Sequence, residues 1–370
     1  MASWQALRTT GAADVLTRTH ALLRPAMSAA LDRLDDRLRR IAGYHLGLWD
    51  GDGTPAAADT HVGKGARPAL TVLSAEAVGA PADQALLAAV AVELVHSFTG
   101  LHDDIIDGDE LRRDRAATWT VFGTPHALLT GDALLVLAGT LLCGGPEHRV
   151  GAAMSALWTA VHELVDNESK DSFYPDRIDV PPEVAAATTI GKTAPLSRCA
   201  CELGALYGDA PPARRASLRD FGWHAGAAWA LHDDINGIVA PAEVTGKPAH
   251  SDLRNRKTTP PVAAALTRST EPAATARLVE LYTRPGELAE ADLAEAAALV
   301  ERAGGLDWTR READRHLAAA RSCLEAADPL DPAGTALRSL TGLFAPTTPT
   351  AGTGGEDRPR RADHHAASRR

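Results

Sequence analysis

Aromatic side chains are scarce in this 370-residue chain, at 4% of the total. Cysteine is scarcer still. Cys143, Cys199, Cys201 and Cys323 include no CxxC pair, and the CAC triplet separates two thiols by a single residue, which is poor zinc geometry. Reduced, buried thiols in a cytoplasmic protein are expected. Positive charge is also short: 38 Lys plus Arg against 48 Asp plus Glu leave a net charge of −10. That balance excludes general attraction to nucleic acid or an anionic membrane, so any anionic ligand must meet a local basic cluster. The amino terminus, MASWQALRTTGAADVLTRTH, lacks the basic start and apolar block of a signal peptide. No stretch approaches the roughly 20 uninterrupted apolar residues of a membrane span, and the expected location is cytoplasmic. Alternating strand patterns are scarce too.

What is present is Ala, Leu and helical spacing. Apolar residues make up 45% of the chain, ample for a sizeable core. The segments DQALLAAVAVELVHSFTGLHDD, PHALLTGDALLVLAGTLL, SLRDFGWHAGAAWALHDD and ADLAEAAALVERAGG read as helices, several apolar nearly all round and therefore buried. The pattern predicts an all-α, single-domain bundle of ten or more helices. Breaks fall near Asp50 to Ala66, Gly144 to His148, Pro175 to Pro182 and Pro241 to Pro261. A flexible N-terminus (1–17), one domain (18–343) and a disordered tail (344–370) are expected. The tail, PTTPTAGTGGEDRPRRADHHAASRR, is polar, rich in Pro and Gly and basic at its end. That end is a candidate dock for an unknown protein partner or for a membrane.

One pentapeptide occurs twice. LHDDI closes an apolar helix at Leu101 to Ile105 and again at Leu231 to Ile235. In the first copy Asp103 and Asp107, at i and i+4, share a helix face, with Asp104 beside them. Asp233 and Asp234 end the second helix. Carboxylates so placed repel one another unless a cation sits between them, and oxygen-only ligands suit Mg²⁺, which completes its shell with water and substrate phosphates. A single acidic helix end is usually just solvated surface. Two of them, each followed by basic residues (Arg112, Arg113 and Arg115; Lys247, Arg254, Arg256 and Lys257), read as the jaws of a clamp for metal and diphosphate.

In these residues the chain resembles the trans-isoprenyl diphosphate synthases (polyprenyl synthetases), over roughly Ala57 to Leu343. GKGARP is similar to the family's GGKRxRP, which implies that Lys64 and Arg67 hold the diphosphate of isopentenyl diphosphate. His96, about two helical turns before the first acidic pair, falls at the family's histidine for that same group. DDIID resembles the first aspartate-rich motif, with Asp103, Asp104 and Asp107 as metal ligands. Its twin arginines imply Arg112 for the allylic diphosphate and Arg113 for isopentenyl diphosphate. GKT places Lys192 and Thr193 at the allylic site. DDING resembles the second aspartate-rich motif, with Asp233 and Asp234 as metal ligands. GKPAHSDLRNRKTTP resembles the segment that follows it, giving Lys247 and Lys257 for the allylic diphosphate.

The resemblance implies an isoprenoid synthase fold around a central cavity and a homodimer. It also implies Mg²⁺-dependent condensation of isopentenyl diphosphate with an allylic diphosphate, with three ions in the substrate complex. Asp103, Asp104, Asp107, Lys192, Asp233 and Asp234 are then the catalytic set. One turn before Asp103, Phe98 and Thr99 occupy the positions that set chain length in the family. Phe98 is the sole bulky residue of the pair, which resembles enzymes stopping near geranylgeranyl diphosphate, although an ordinary core role fits a Phe equally well.

Several residues depart from the pattern. Gly237 stands where the family often has a third aspartate, after Asn236. NESKD carries Glu168 in place of a glutamine and matches only at Asp171, while Trp229 and Ala230 replace a Phe-Gln pair. A terpene cyclase on the same scaffold would share the metal clamp but need no isopentenyl site, so Lys64, Arg67, His96 and Arg113 favour chain elongation. A non-catalytic partner subunit would be expected to lose the first acidic motif or its arginines, and this chain keeps them. His102 and His232 beside the acidic pairs, and Trp223 and Trp229 near the second jaw, read first as packing residues.

Overall fold

The computed structural model describes residues 11–56, 63–113, 115–173, 177–241 and 249–342. Sixteen α-helices lie among them. In order they are α1 (Ala12–Leu31), α2 (Asp36–His45), α3 (Ala66–Ala77), α4 (Leu86–Ile106), α5 (Thr118–Phe122), α6 (Thr124–Cys143), α7 (Glu147–Phe173) and α8 (Pro182–Gly191). There follow α9 (Ala194–Tyr207), α10 (Pro212–Val239), α11 (Ser251–Arg254), α12 (Pro260–Thr267), α13 (Pro272–Thr283), α14 (Glu290–Arg302), α15 (Gly305–Ala326) and α16 (Ala333–Thr341). One antiparallel pair of two-residue strands, β1 (Leu111–Arg112) and β2 (Arg115–Ala116), interrupts them after α4. The all-α reading of the Ala/Leu periodicity stands, and the four quoted segments form α4, α6, α10 and α14.

Local chemistry explains several boundaries. Asp35 caps α2, its carboxylate accepting from the Arg37 and Leu38 amides. Pro sits in the first turn of α6, α8, α9, α10, α12 and α13, where no intrahelical N–H is lost. The N-terminal boundary expected at residue 17 is corrected: α1 begins at Ala12, and Val15 is already buried. Helix α1 is tied to α3 by an ion pair between Arg18 and Glu76.

Small residues let the helices approach closely. Helix α9 lies between α3 and α10. A Cβ at Gly204 would stand 2.1 Å from the Thr71 carbonyl oxygen of α3, and one at Gly222 would stand 2.4 Å from the Ser197 carbonyl oxygen of α9. The scarcity of aromatics therefore goes with backbone-to-backbone packing rather than with a loose core.

The apolar interior is divided. The larger cluster unites α1, α3, α4, α6, α7, α9 and the first part of α10. The second gathers Ile235 and Ile238 from the end of α10 with Leu253, Val262, Leu278, Leu293 and Leu299. Helix α10 runs through both, so the second DD pair sits where the two clusters meet. Two stretches, Ala82–Ile106 and Thr124–Cys143, are long and apolar enough to cross a membrane, with 72% and 50% of their most apolar windows buried within the protein. This corrects the expectation from uninterrupted runs, which polar residues such as Glu93 and Asp132 break. The cysteines also need correction: Cys199 and Cys201 are buried, but Cys143 is exposed and Cys323 half-buried, and all four are free thiols.

Replacing Gly204 by Val should destabilise the protein by about 1–3 kcal/mol through overpacking. Equilibrium unfolding in denaturant would read this as a lower midpoint at an unchanged slope. An unchanged midpoint would mean that α3 and α9 are not packed as described.

Candidate active site

Helix α4 places the first jaw. Its apolar length is buried between α3, α6 and α9, so its C-terminal end is held as a rigid platform. Asp103 lies in the last turn and Asp107 just beyond it, with the Asp107 amide donating to the Asp103 carbonyl at 2.8 Å. Asp104 points elsewhere. It is only 3% exposed, and its Oδ1 accepts from Arg112 Nη1 at 2.7 Å. Adjacent helical residues point about 100° apart, and of the three motif carboxylates this one anchors Arg112.

Helix α10 carries the second jaw. Asp233 is exposed. The Thr189 hydroxyl of α8 donates to Asp234, while Asp234 Oδ2 is buried without a hydrogen-bond partner. Burial, reinforced by Asp252, pushes the Asp234 carboxyl well above its ordinary value.

Basic groups bridge the acids. Lys257 Nζ reaches from the α11 side to Asp107 Oδ2 at 2.7 Å, linking the segment after the second motif to the first jaw. Lys192, just past α8, donates to Glu168 Oε2 at 2.8 Å and Asp171 Oδ2 at 2.7 Å on α7. Burial opposes the Lys192 charge, but the two carboxylates outweigh it and raise its pKa. Lys257 is raised in the same way by Asp107. Thr193 follows Lys192 as the N-cap of α9. The family-like NESKD segment thus puts a second acid, Glu168, against Lys192. Burial and the charge of Glu168 together push Asp103 up to about 7.

A second basic group lies beside the first jaw. Arg67 of α3 has its Nη1 3.3 Å from His96 Nε2 on α4. Arg113 occupies the tip of the β1–β2 hairpin with φ of 52°, a conformation rare for a side-chain-bearing residue. Its guanidinium lies over Gly63, where a Cβ would come within 2.7 Å of Cζ. Burial and the neighbouring Arg67 and Arg113 hold His96 well below its ordinary pKa, so the ring is neutral. Lys64 is exposed at the entrance to α3.

Two residues of this pocket were missing from the sequence reading. Glu93, 6% exposed on α4, is the carboxylate that offsets the charges of Arg113 and Arg67. Its signal was a lone acid in an apolar run, one turn before His96. His45, buried at the end of α2, contacts Thr118 Oγ1 through Nδ1 at 3.2 Å and is held neutral by burial and by Arg112 and Arg113.

Phe98 is 7% exposed within the main core, its ring edge-to-face with His102 at 4.8 Å. The Thr99 hydroxyl is tied to the His96 carbonyl at 3.0 Å. His102 reaches the Leu128 carbonyl at 3.2 Å, and His232 and Trp229 are buried, consistent with packing roles. Trp223 lies under Arg198 in a cavity of about 640 Å³ between α7, α9, α10 and α15, which contains none of the acidic-motif residues. Lys247 and the tail lie outside the described residues.

Among the described residues no three metal-ligating side chains converge on one point. Asp104, Asp107, Glu168 and Asp171 are engaged with internal cations. The donor set nevertheless fits a hard divalent ion: carboxylate oxygens only, with one buried oxygen on Asp234 without a partner.

Comparison with known proteins decides the family. Residues 55–300 match the model of the polyprenyl synthetase family. The chain belongs to the polyprenyl synthetase family. It is 40% identical over 305 residues to a (2E,6E)-farnesyl diphosphate synthase of Mycobacterium bovis, covering 82% of this chain and 84% of that protein. It is 38% identical over 311 residues to a geranylgeranyl diphosphate synthase of Mycobacterium tuberculosis, covering 84% and 88%. A crystal structure of a polyprenyl synthetase from Streptomyces coelicolor superposes with a TM-score of 0.84 at 39% identity, covering 90% of this chain and 99% of that one. The isoprenoid synthase fold and the prenyltransferase class implied by the motifs both stand.

Without metal, the native state binds a proton at Asp103 up to about pH 7, whereas the unfolded chain releases it near 3.8. More protons bound in the native state means that stability falls as pH rises through that interval. Denaturant unfolding of the metal-free protein should show this fall, and Asp103→Asn should lessen it. An identical pH dependence in the variant would contradict the assignment.

Proposed function

We propose that the protein condenses isopentenyl diphosphate with an allylic diphosphate in a Mg²⁺-dependent reaction, releasing a short-chain all-trans prenyl diphosphate in the farnesyl to geranylgeranyl range. The observation that carries this reading is the pairing of two sites. Two acidic motifs, the first of them engaged by Lys257 from the segment that follows the second, accompany a basic group of Arg67, His96 and Arg113. A cyclase that ionises one substrate has no use for the second pocket.

Mg²⁺, held by Asp103, Asp107 and the Asp233–Asp234 pair, would supply the Lewis acidity that draws diphosphate from the allylic carbon. The chain's own groups then divide the work. Lys192 and Lys257 are placed to exchange their carboxylate partners for oxygens of the allylic diphosphate, while Arg112, kept in place by Asp104, offers it a further guanidinium N–H. Arg67 and Arg113, balanced by Glu93, hold the diphosphate of isopentenyl diphosphate, with neutral His96 donating a ring N–H and Lys64 closing over from the surface. Positioned in this way, the alkene attacks the allylic carbon, and the departing diphosphate takes the proton that is lost. Apolar helix walls exclude the water that would quench the cation.

Product length is assigned to Phe98, which stands one turn from Asp103 on α4. We also propose a homodimer. Leu129 and Val136 on α6 are 59% and 65% exposed, and Trp158 and Val165 on α7 are exposed as well, giving adjacent helices with apolar faces that a second copy would cover. A cytoplasmic location is proposed on the burial of α4 within the core.

The purified protein should be incubated with Mg²⁺ and geranyl, farnesyl or geranylgeranyl diphosphate, with and without isopentenyl diphosphate, and extracted before and after phosphatase. Longer prenyl alcohols seen only with isopentenyl diphosphate and only after phosphatase are expected. Cyclic products formed without isopentenyl diphosphate would overturn the reading.

Three variants divide the roles. Arg113→Ala should raise KM for isopentenyl diphosphate roughly 10- to 100-fold, the worth of a lost charged hydrogen bond, and change that for the allylic substrate far less. Phe98→Ala should lengthen the product by at least one isoprene unit, read by chromatography of the dephosphorylated alcohols. Val136→Asp should convert dimer to monomer in sedimentation equilibrium. Unchanged products or an unchanged mass would remove the corresponding assignment.

A further inference from the structure

We propose that His224 of α10 and His316 of α15 form a transition-metal site, a two-nitrogen chelate for Cu²⁺ or Ni²⁺ that lies apart from the acidic motifs and clips the two helices together. Their Nδ1 atoms face each other at 3.0 Å, with ring centroids 5.2 Å apart and planes tilted by 43°. The rings are therefore not stacked; they meet nitrogen to nitrogen. Two nitrogens, each about 2.0–2.1 Å from a shared ion, stand about 2.9 Å apart at a right angle and about 3.3 Å apart at the tetrahedral angle. The observed separation is close to that of adjacent corners of a square, the geometry of Cu²⁺ and Ni²⁺.

The pair is held by its helices. Helices α10 and α15 pack against each other, and Phe221 and Ala225 on the one and Ala313 and Ala320 on the other are fully buried, while both histidines are half-buried. Without an ion, one ring donates from Nδ1 and the other accepts, so the two hold opposite tautomers. An ion replaces that hydrogen bond when the donor ring carries its proton on Nε2 instead, and both Nδ1 lone pairs then face the metal with no net loss of a proton. Ligation needs neutral rings. Burial, with His224 and Arg315 adding to it, lowers His316 to about 4, and burial lowers His224 as well, against the pull of Asp220.

The surroundings suit an ion that keeps water in its remaining positions. His224 lines the cavity of about 640 Å³ between α7, α9, α10 and α15, together with Asp220, one turn before it, and Cys323, two turns after His316. That cavity supplies an entry path and room for ligand water. Asp220 accepts from Arg219 Nε at 2.9 Å, and burial, followed by the charge of Asp220, raises the Cys323 thiol and keeps it protonated. Two nitrogens converge, and the carboxylate and thiol flank them without joining them. His224 stands between two and three turns before Asp233 on α10, so the clip also steadies the helix that carries the second jaw.

The test follows thermal unfolding of the full-length protein, carrying His364→Ala and His365→Ala to remove the adjacent histidines of the tail, in constant excess Mg²⁺ with and without Ni²⁺. Ni²⁺ should raise the melting midpoint, because it binds the assembled pair and not the separated helices. His224→Gln and His316→Gln each keep a polar side chain but remove one ligand, and each should abolish the rise. No rise in the parent, or a rise that survives both substitutions and so belongs to the acidic motifs, would overturn the proposal. A second reading needs no substitution at the pair. Electron paramagnetic resonance with a single equivalent of Cu²⁺ should show two equatorial nitrogens, and a spectrum of oxygen ligation alone would overturn the proposal.

Discussion

Carboxylates crowded at the ends of two largely buried helices are the constraint around which the rest of the site is arranged. Asp103 and Asp234 are both raised by burial and by neighbouring acids, and such groups persist only because the surrounding helices hold them in place. In the ligand-free chain the compensation comes from within: Lys192 on Glu168 and Asp171, Lys257 on Asp107, Arg112 on Asp104. A metal–diphosphate complex would take over both roles at once, supplying cation to the carboxylates and anion to the ammonium groups. Binding is then an exchange of partners rather than the creation of charge in an apolar interior.

The division of the apolar core serves that exchange. The first jaw stands on the larger cluster through α4, and the second stands at the boundary with the smaller one, where α10 passes from one to the other. Close backbone contacts at Gly204 and Gly222 lock α3, α9 and α10 together, so the two acidic ends are carried by a stiff frame. The segment around α11, with Lys257 and Asp252, joins this frame through Leu253 and His250.

Much of the arrangement was legible in the residues themselves. Helices of Ala and Leu with near-continuous apolar character could only be buried, and α4, α6, α10 and α14 follow. The i, i+4 spacing of Asp103 and Asp107 announced a shared face, and the same geometry already set Asp104 apart, a signal that its acidic type obscured. Glu93 was visible as a lone acid in an apolar run, but its worth depends on Arg67 and Arg113, which arrive from α3 and the hairpin. The docking of α11 on α10 was beyond periodicity altogether, because it is set by burial of Leu253 rather than by any local pattern. The division of the core was hidden for the same reason, since helical period tells which face is apolar and not which helix meets it.

The exchange of internal cations for metal and diphosphate is the claim on which the functional account stands. The most direct measurement is a crystal structure of the protein grown with Mg²⁺ and inorganic pyrophosphate. The account predicts ions ligated by Asp103, Asp107 and Asp233, with Lys257 Nζ moved from Asp107 to a pyrophosphate oxygen and Asp104 still paired with Arg112. Pyrophosphate bound elsewhere, with Lys257 still on Asp107 and no ion between the jaws, would contradict it.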